Sequence, residues 1–173
     1  MRHHALTLVT AMSLSILAIT TAEAHVTIEQ QQAVAGATAK LTFRVPHGCD
    51  GAAMHTFKVQ IPAGVMNVKP MPKAGWKLST IKAKLDKPVT GDHGATITEV
   101  VREVIWSGGN LPNDQYDEFV LRGAMPASAG TLYIPAVQEC EKAAERWIEI
   151  PAAGQSSGDL KMPAPRLQIV PKP

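Results

Sequence analysis

Short runs in which apolar and polar residues alternate recur along most of this chain, and they predict strands. Ala39-Lys40-Leu41-Thr42-Phe43-Arg44-Val45 alternates and stops at Pro46-His47-Gly48, and Thr56-Phe57-Lys58-Val59-Gln60-Ile61 alternates and stops at Pro62-Ala63-Gly64. Successive side chains of a strand point to opposite faces, so a period of two marks a strand with one face buried. Lys77 to Leu85, Thr96 to Trp106, Phe119 to Arg122, Leu132 to Val137 and Arg146 to Ile150 supply further runs of this kind. Turn signals lie between them: Pro72-Lys73-Ala74-Gly75, Thr90-Gly91-Asp92, Ser107-Gly108-Gly109-Asn110 and Pro112-Asn113-Asp114. Many short strands separated by Gly and Pro predict an all-β fold, and a chain of this size suits an immunoglobulin-like β-sandwich.

Three segments depart from that pattern. At the start, Arg2, His3 and His4 precede an apolar run from Ala5 to Thr21, and Ala22-Glu23-Ala24 has the A-x-A form that signal peptidase cuts. Residues 1–24 are therefore expected to be a secretory signal peptide, leaving about 150 residues, a normal size for one domain with a single core. Glu141 to Arg146 has helical composition but is short, and a turn or helical turn is expected there. From Ala152 onward the chain is rich in Pro, Gly and Ser, so the sandwich is expected over 25–151 and residues 152–173 as an extended tail, with Leu167 to Val170 as a candidate edge strand.

Composition narrows the function. The formal net charge is +2, weak and dispersed, with no basic cluster interleaved with aromatics, so no nucleic-acid partner is expected. Past residue 24 no apolar run reaches membrane-spanning length, which predicts an exported product, periplasmic or beyond, with no transmembrane segment. Cys49 and Cys140 are the two cysteines. In an oxidising compartment a disulfide between them is expected; it would close a loop of about 90 residues, for which chain entropy gives on the order of 4 kcal/mol. A metal-ligand or redox role is the other reading of these cysteines, without a CxxC pair to favour it. There is no GxSxG elbow, HExxH, phosphate loop or GxGxxG, and Asp117 and Glu118 are adjacent in a strand, where they point to opposite faces. No enzymatic activity is expected.

Cleavage after Ala24 would make His25 the first residue, and this carries the main chemical signal. A free α-amine and the imidazole Nδ1 of one histidine close a six-membered chelate ring on a metal ion. Both nitrogens lose their protons readily near neutral pH, since an unperturbed amine titrates near 8 and an unperturbed imidazole near 6.5. Among divalent first-row ions Cu(II) gains most from two nitrogen donors and accepts a tetragonal site completed by oxygen. The common amino-terminal copper motif built on backbone amides needs His at the third position, which here is Thr27.

His25-Val26-Thr27-Ile28, Arg44-Val45-Pro46-His47-Gly48-Cys49-Asp50-Gly51, Val59-Gln60-Ile61-Pro62 and Val68-Lys69-Pro70-Met71-Pro72-Lys73-Ala74-Gly75-Trp76 resemble, in order, the YcnI-like copper-binding family. Ile105-Trp106-Ser107-Gly108-Gly109-Asn110-Leu111-Pro112, Tyr116-Asp117-Glu118-Phe119 and Trp147-Ile148-Glu149-Ile150-Pro151 extend the resemblance across nearly the whole mature chain. The resemblance implies a β-sandwich exposed to the periplasm or cell surface. It also implies a Cu(II) site in which the first histidine chelates the ion, a carboxylate adds oxygen and a tryptophan lies close. Carried onto this sequence, it implies His25 as the chelate and, of Trp76, Trp106 and Trp147, Trp147 as the tryptophan beside the metal. The family's eighth mature residue is often Glu, and this chain has Gln32 there, a neutral oxygen donor. Glu29 is the nearest carboxylate, on the same strand face as His25 and Thr27 by alternation.

His47, His55 and His93 are the other mature-chain histidines, and His47 with His55 forms a second candidate metal pair, against the simpler reading of loop residues facing water. Met54, Met66, Met71 and Met125 show no MxM or MxxM clustering and read as core and loop filling. The expected role is to hold, buffer or pass on copper, with other periplasmic copper carriers as partners. A metal-free extracytoplasmic interaction domain and an oxidative copper enzyme are the rivals; the latter needs a second brace histidine with no obvious candidate here.

Overall fold

The computed structural model describes residues 25–91 and 94–173; the expected signal segment, residues 1–24, and His93 lie outside the described residues. Among the described residues twelve strands form three sheets. β1 (Thr27–Ile28), β3 (Thr38–Val45), β8 (Asp117–Ala124) and β5 (Met66–Pro70) make a four-stranded sheet in the order β1-β3-β8-β5. β11 (Ala144–Trp147), β10 (Ala136–Cys140), β4 (Met54–Gln60), β7 (Thr96–Leu111) and β6 (Lys77–Thr90) make a five-stranded sheet in that order. β2 (Gln32–Val34), β12 (Arg166–Val170) and β9 (Gly130–Tyr133) complete a small third sheet. Pairing is antiparallel except between β2 and β12.

The alternation read from the sequence is the burial pattern of the two large sheets. Leu41, Phe43 and Val45 of β3 and Phe119 and Leu121 of β8 face inward from one side, and Phe57 and Val59 of β4 with Val104 and Trp106 of β7 from the other, each at most 1% exposed. Between the sheets Phe57 lies 4.7 Å from Phe119, ring centre to ring centre, and Trp106 lies 5.4 Å from Phe119. The Trp106 indole N–H donates to the Met71 carbonyl at 3.0 Å, so this core tryptophan is satisfied without water. The expected all-β, immunoglobulin-like sandwich is the observed architecture.

Three local expectations are corrected. Ser107-Gly108-Gly109-Asn110 is not a turn but part of β7, at a place where its register against β4 shifts. Gly108 takes a φ of +73°, and a Cβ on Gly109 would stand 2.0 Å from the Trp76 ring, so the glycine pair permits an irregularity and a close approach inside a strand. Leu132 to Val137 is not one strand: Pro135 separates β9 from β10, which lie in different sheets, because proline has no N–H to continue a ladder. At Glu141 to Arg146, where a turn or helical turn is expected, a tight turn closed by the Cys140 N–H to Ala143 carbonyl bond at 2.9 Å leads into β11. The C-terminal segment is neither a tail nor an edge, since β12 is the middle strand of the third sheet with Leu167 and Ile169 buried.

The expected disulfide is formed. Cys49 and Cys140, 91 residues apart in sequence, tie the loop after β3 to the end of β10. A formed bridge is what an oxidising compartment supports. Among the described residues no helix is long and apolar enough to cross a membrane.

Candidate functional site

Both members of the site stand at sheet edges. β1 is the outer strand of the four-stranded sheet, with Thr27 opposite Arg44 and Ile28 opposite Phe43. Val26 and Ile28 are 2% and 4% exposed, so they anchor the segment in the core, and the odd-numbered His25, Thr27 and Glu29 lie on the outer side. β11 is the outer strand of the five-stranded sheet, and its Trp147, opposite Ala136 of β10, is 4% exposed. The His25 and Trp147 rings meet across the gap with centroids 5.2 Å apart and planes at 66°, an edge-on arrangement. Of the three tryptophans it is therefore Trp147 that touches His25. Trp106 is in the core, and Trp76 packs edge-on against Phe119 at 5.0 Å.

Behind Trp147 lies a polar group that the sequence reading passed over. The indole N–H donates to Oε1 of Gln138 at 2.6 Å, and Nε2 of Gln138 donates to the His47 carbonyl at 2.9 Å. Gln138 is wholly buried. The signal for it is the alternation itself: Ala136 and Gln138 share the inward face of β10, and a polar residue in an inward register needs partners. His47 turns its Nδ1 to the Gly48 carbonyl at 2.6 Å; a carbonyl only accepts, so that nitrogen carries the proton and Nε2 is the unprotonated one in the neutral ring. His55 similarly directs Nδ1 to the Gly109 carbonyl at 2.9 Å. Each ring is fastened to main chain, and among the described residues no three His, Cys, Asp or Glu side chains gather as a metal cluster.

Glu145 stands opposite Gln138 on β11, and its Oε2 is buried without a hydrogen-bond partner. Burial pushes its carboxyl above the usual carboxylate range, with His47 pulling down and Asp50 pushing up. A raised pKa means the unfolded chain gives up that proton more easily than the folded one. The stabilising contribution is thus complete below the unfolded pKa and is lost as pH rises through the folded value. Glu145→Gln is accordingly expected to gain stability relative to wild type as pH rises from about 4 to about 7 in urea unfolding. A stability difference that stays constant over that range would contradict this account of Glu145.

The two expected oxygen donors sit differently. The Glu29 carboxylate accepts from Arg44 at 3.0 Å, and Arg44 also approaches Glu118 at 3.7 Å. All three are substantially exposed, so the pairs contribute little stability but hold the Glu29 side chain. Gln32 is exposed at the start of β2, opposite Gln168 of β12.

Two comparisons bear on this architecture. The crystal structure of an uncharacterized protein from Nocardia farcinica, described as revealing an immunoglobulin-like fold, is similar at a TM-score of 0.63 and 28% identity, covering 85% of this chain and 99% of that one. No curated protein matches the chain. The family described as a domain of unknown function, DUF1775, is the YcnI-like family that the motifs resemble, and it matches residues 25–169, from the histidine on Trp147 through the buried positions of β12. The chain belongs to that family.

Proposed function

We propose that this protein binds Cu(II) at its processed amino terminus and serves extracytoplasmic copper handling, as a holder or carrier of the ion and not as a catalyst. The observation that carries the reading is the contact between His25 and Trp147: the residue that would become the first of the mature chain has its ring placed at a defined site on the sandwich. A single-residue chelate supplies two nitrogens from His25, so it needs no cluster of three side chains. Oxygen donors complete the site. Glu29, on the same side of the strand as His25 though paired with Arg44, and the exposed Gln32 amide oxygen are the candidate donors, with water beside them. A site partly open to water releases its ion more easily than a closed four-ligand cage, in keeping with transfer to another periplasmic carrier.

The test is a Cu²⁺ titration of protein shown by mass spectrometry to begin at His25, followed by paramagnetic resonance. One tightly bound ion with mixed nitrogen and oxygen ligation is the expected result. Absence of binding would overturn the reading and leave a metal-free interaction domain as the better account.

A further inference from the structure

Gln138 is joined at both ends of its amide. The indole N–H is a donor only and the His47 carbonyl an acceptor only, so the orientation of the amide is set by its partners: Oε1 must face Trp147 and Nε2 must face His47. The segments it joins are also joined by the disulfide, two residues further along each, since His47 precedes Cys49 as Gln138 precedes Cys140. Segments 47–49 and 138–140 are thus connected by two rungs, one covalent and one a hydrogen bond, and the second rung ends on the ring that meets His25.

From this we infer that Gln138 is a positioning residue, which sets the plane of the Trp147 indole against His25 and anchors that contact to the disulfide-bridged turn. Trp147 sits on a four-residue edge strand, with one neighbouring strand to hold it. A large ring in that position has an orientation fixed by packing and by its one polar atom, and here that atom is bonded to a side chain that cannot move without leaving the His47 carbonyl unpaired. The inference concerns the geometry of His25 and Trp147 and rests on the copper reading only for its second readout.

The experiment uses the mature chain free of metal, with the tryptophan indoles labelled with nitrogen-15 and assigned by nuclear magnetic resonance. In Gln138→Leu, with folding verified by circular dichroism, the Trp147 indole N–H is expected to exchange with solvent at least about tenfold faster than in wild type. The Trp106 N–H, bonded to Met71, is expected to be unchanged, and the nuclear Overhauser contacts between Trp147 and His25 to be lost. A folded Gln138→Leu protein with the Trp147 N–H still protected and the His25 contacts intact would overturn the inference. Should Gln138→Leu fail to fold, Trp147→Phe decides: a ring without the N–H should lose its fixed contact with His25, and a phenyl ring in that place held against His25 as firmly as the wild-type indole would overturn it. In copper titrations Gln138→Leu is expected to weaken binding about tenfold, because the ring packed against the ligand His25 is no longer fixed. A wild-type protein that binds no copper overturns the function proposed above, whereas the metal-free spectra still decide the role of Gln138.

Discussion

Acetylating the α-amine of His25 will weaken Cu²⁺ binding by at least about a hundredfold, and His25→Ala will do the same by removing the other half of the chelate. The acetyl group converts a basic amine into an amide nitrogen whose lone pair is delocalised and brings no new amine beside it, so the chelate loses its anchoring donor although the imidazole is untouched. His25→Ala keeps the amine and loses Nδ1. At about 1.4 kcal/mol per tenfold, either change corresponds to about 3 kcal/mol or more of binding free energy. Trp147→Phe should leave both nitrogens in place and shift affinity or redox behaviour by a smaller factor, with the fold intact. Equal binding by the native and acetylated proteins in parallel titrations would move the site to the internal histidines.

Replacing both Leu167 and Ile169 by alanine will destabilise the fold by about 4 kcal/mol or more, measured as a fall in the urea midpoint at constant slope. The two side chains are 0% and 2% exposed on a strand bonded on both sides. A buried Leu or Ile truncated to Ala typically costs about 2–5 kcal/mol, and because the two are neighbours on one face the losses need not add. Against a total stability of about 5–15 kcal/mol, such a loss brings the domain close to unfolding. Alanine at the exposed Lys161 and Lys172 should change stability by less than about 0.5 kcal/mol. If the double variant proved equally neutral, residues 166–170 would be a tail after all.

The contrast between those two sets of residues shows where sequence reading stops. Arg166 to Val170 alternates as any strand does, but prolines at 163, 165, 171 and 173 surround it, and pattern alone cannot say that a five-residue gap between prolines is enough for a central strand. The same holds for Pro135, which breaks one apolar run into two strands of different sheets, and for Gly108 and Gly109, which look like a turn and lie within a strand. In each case a residue that usually ends an element is accommodated by the pairing around it. Gln138 is the clearest instance at the site, because its partners Trp147 and His47 are 9 and 91 residues away and come together only once β10 pairs with β11 and the disulfide loop closes over it.

The sequence by itself determined the strands, the sandwich class, the disulfide and the family, since these depend on the period of apolar positions, on the presence of only two cysteines and on motifs that are contiguous in the chain. It also singled out His25, whose proposed chemistry needs nothing beyond one residue and one cleavage. The resemblance also pointed to Trp147, and the tertiary structure alone decided that this ring meets His25 edge-on, what satisfies its indole, that Glu29 is engaged by Arg44, and where the C-terminal strand goes. The physical reason is that alternation states which face of a strand is buried and leaves open which strand lies beside it, whereas burial leaves a polar group such as Gln138 dependent on partners supplied by distant segments.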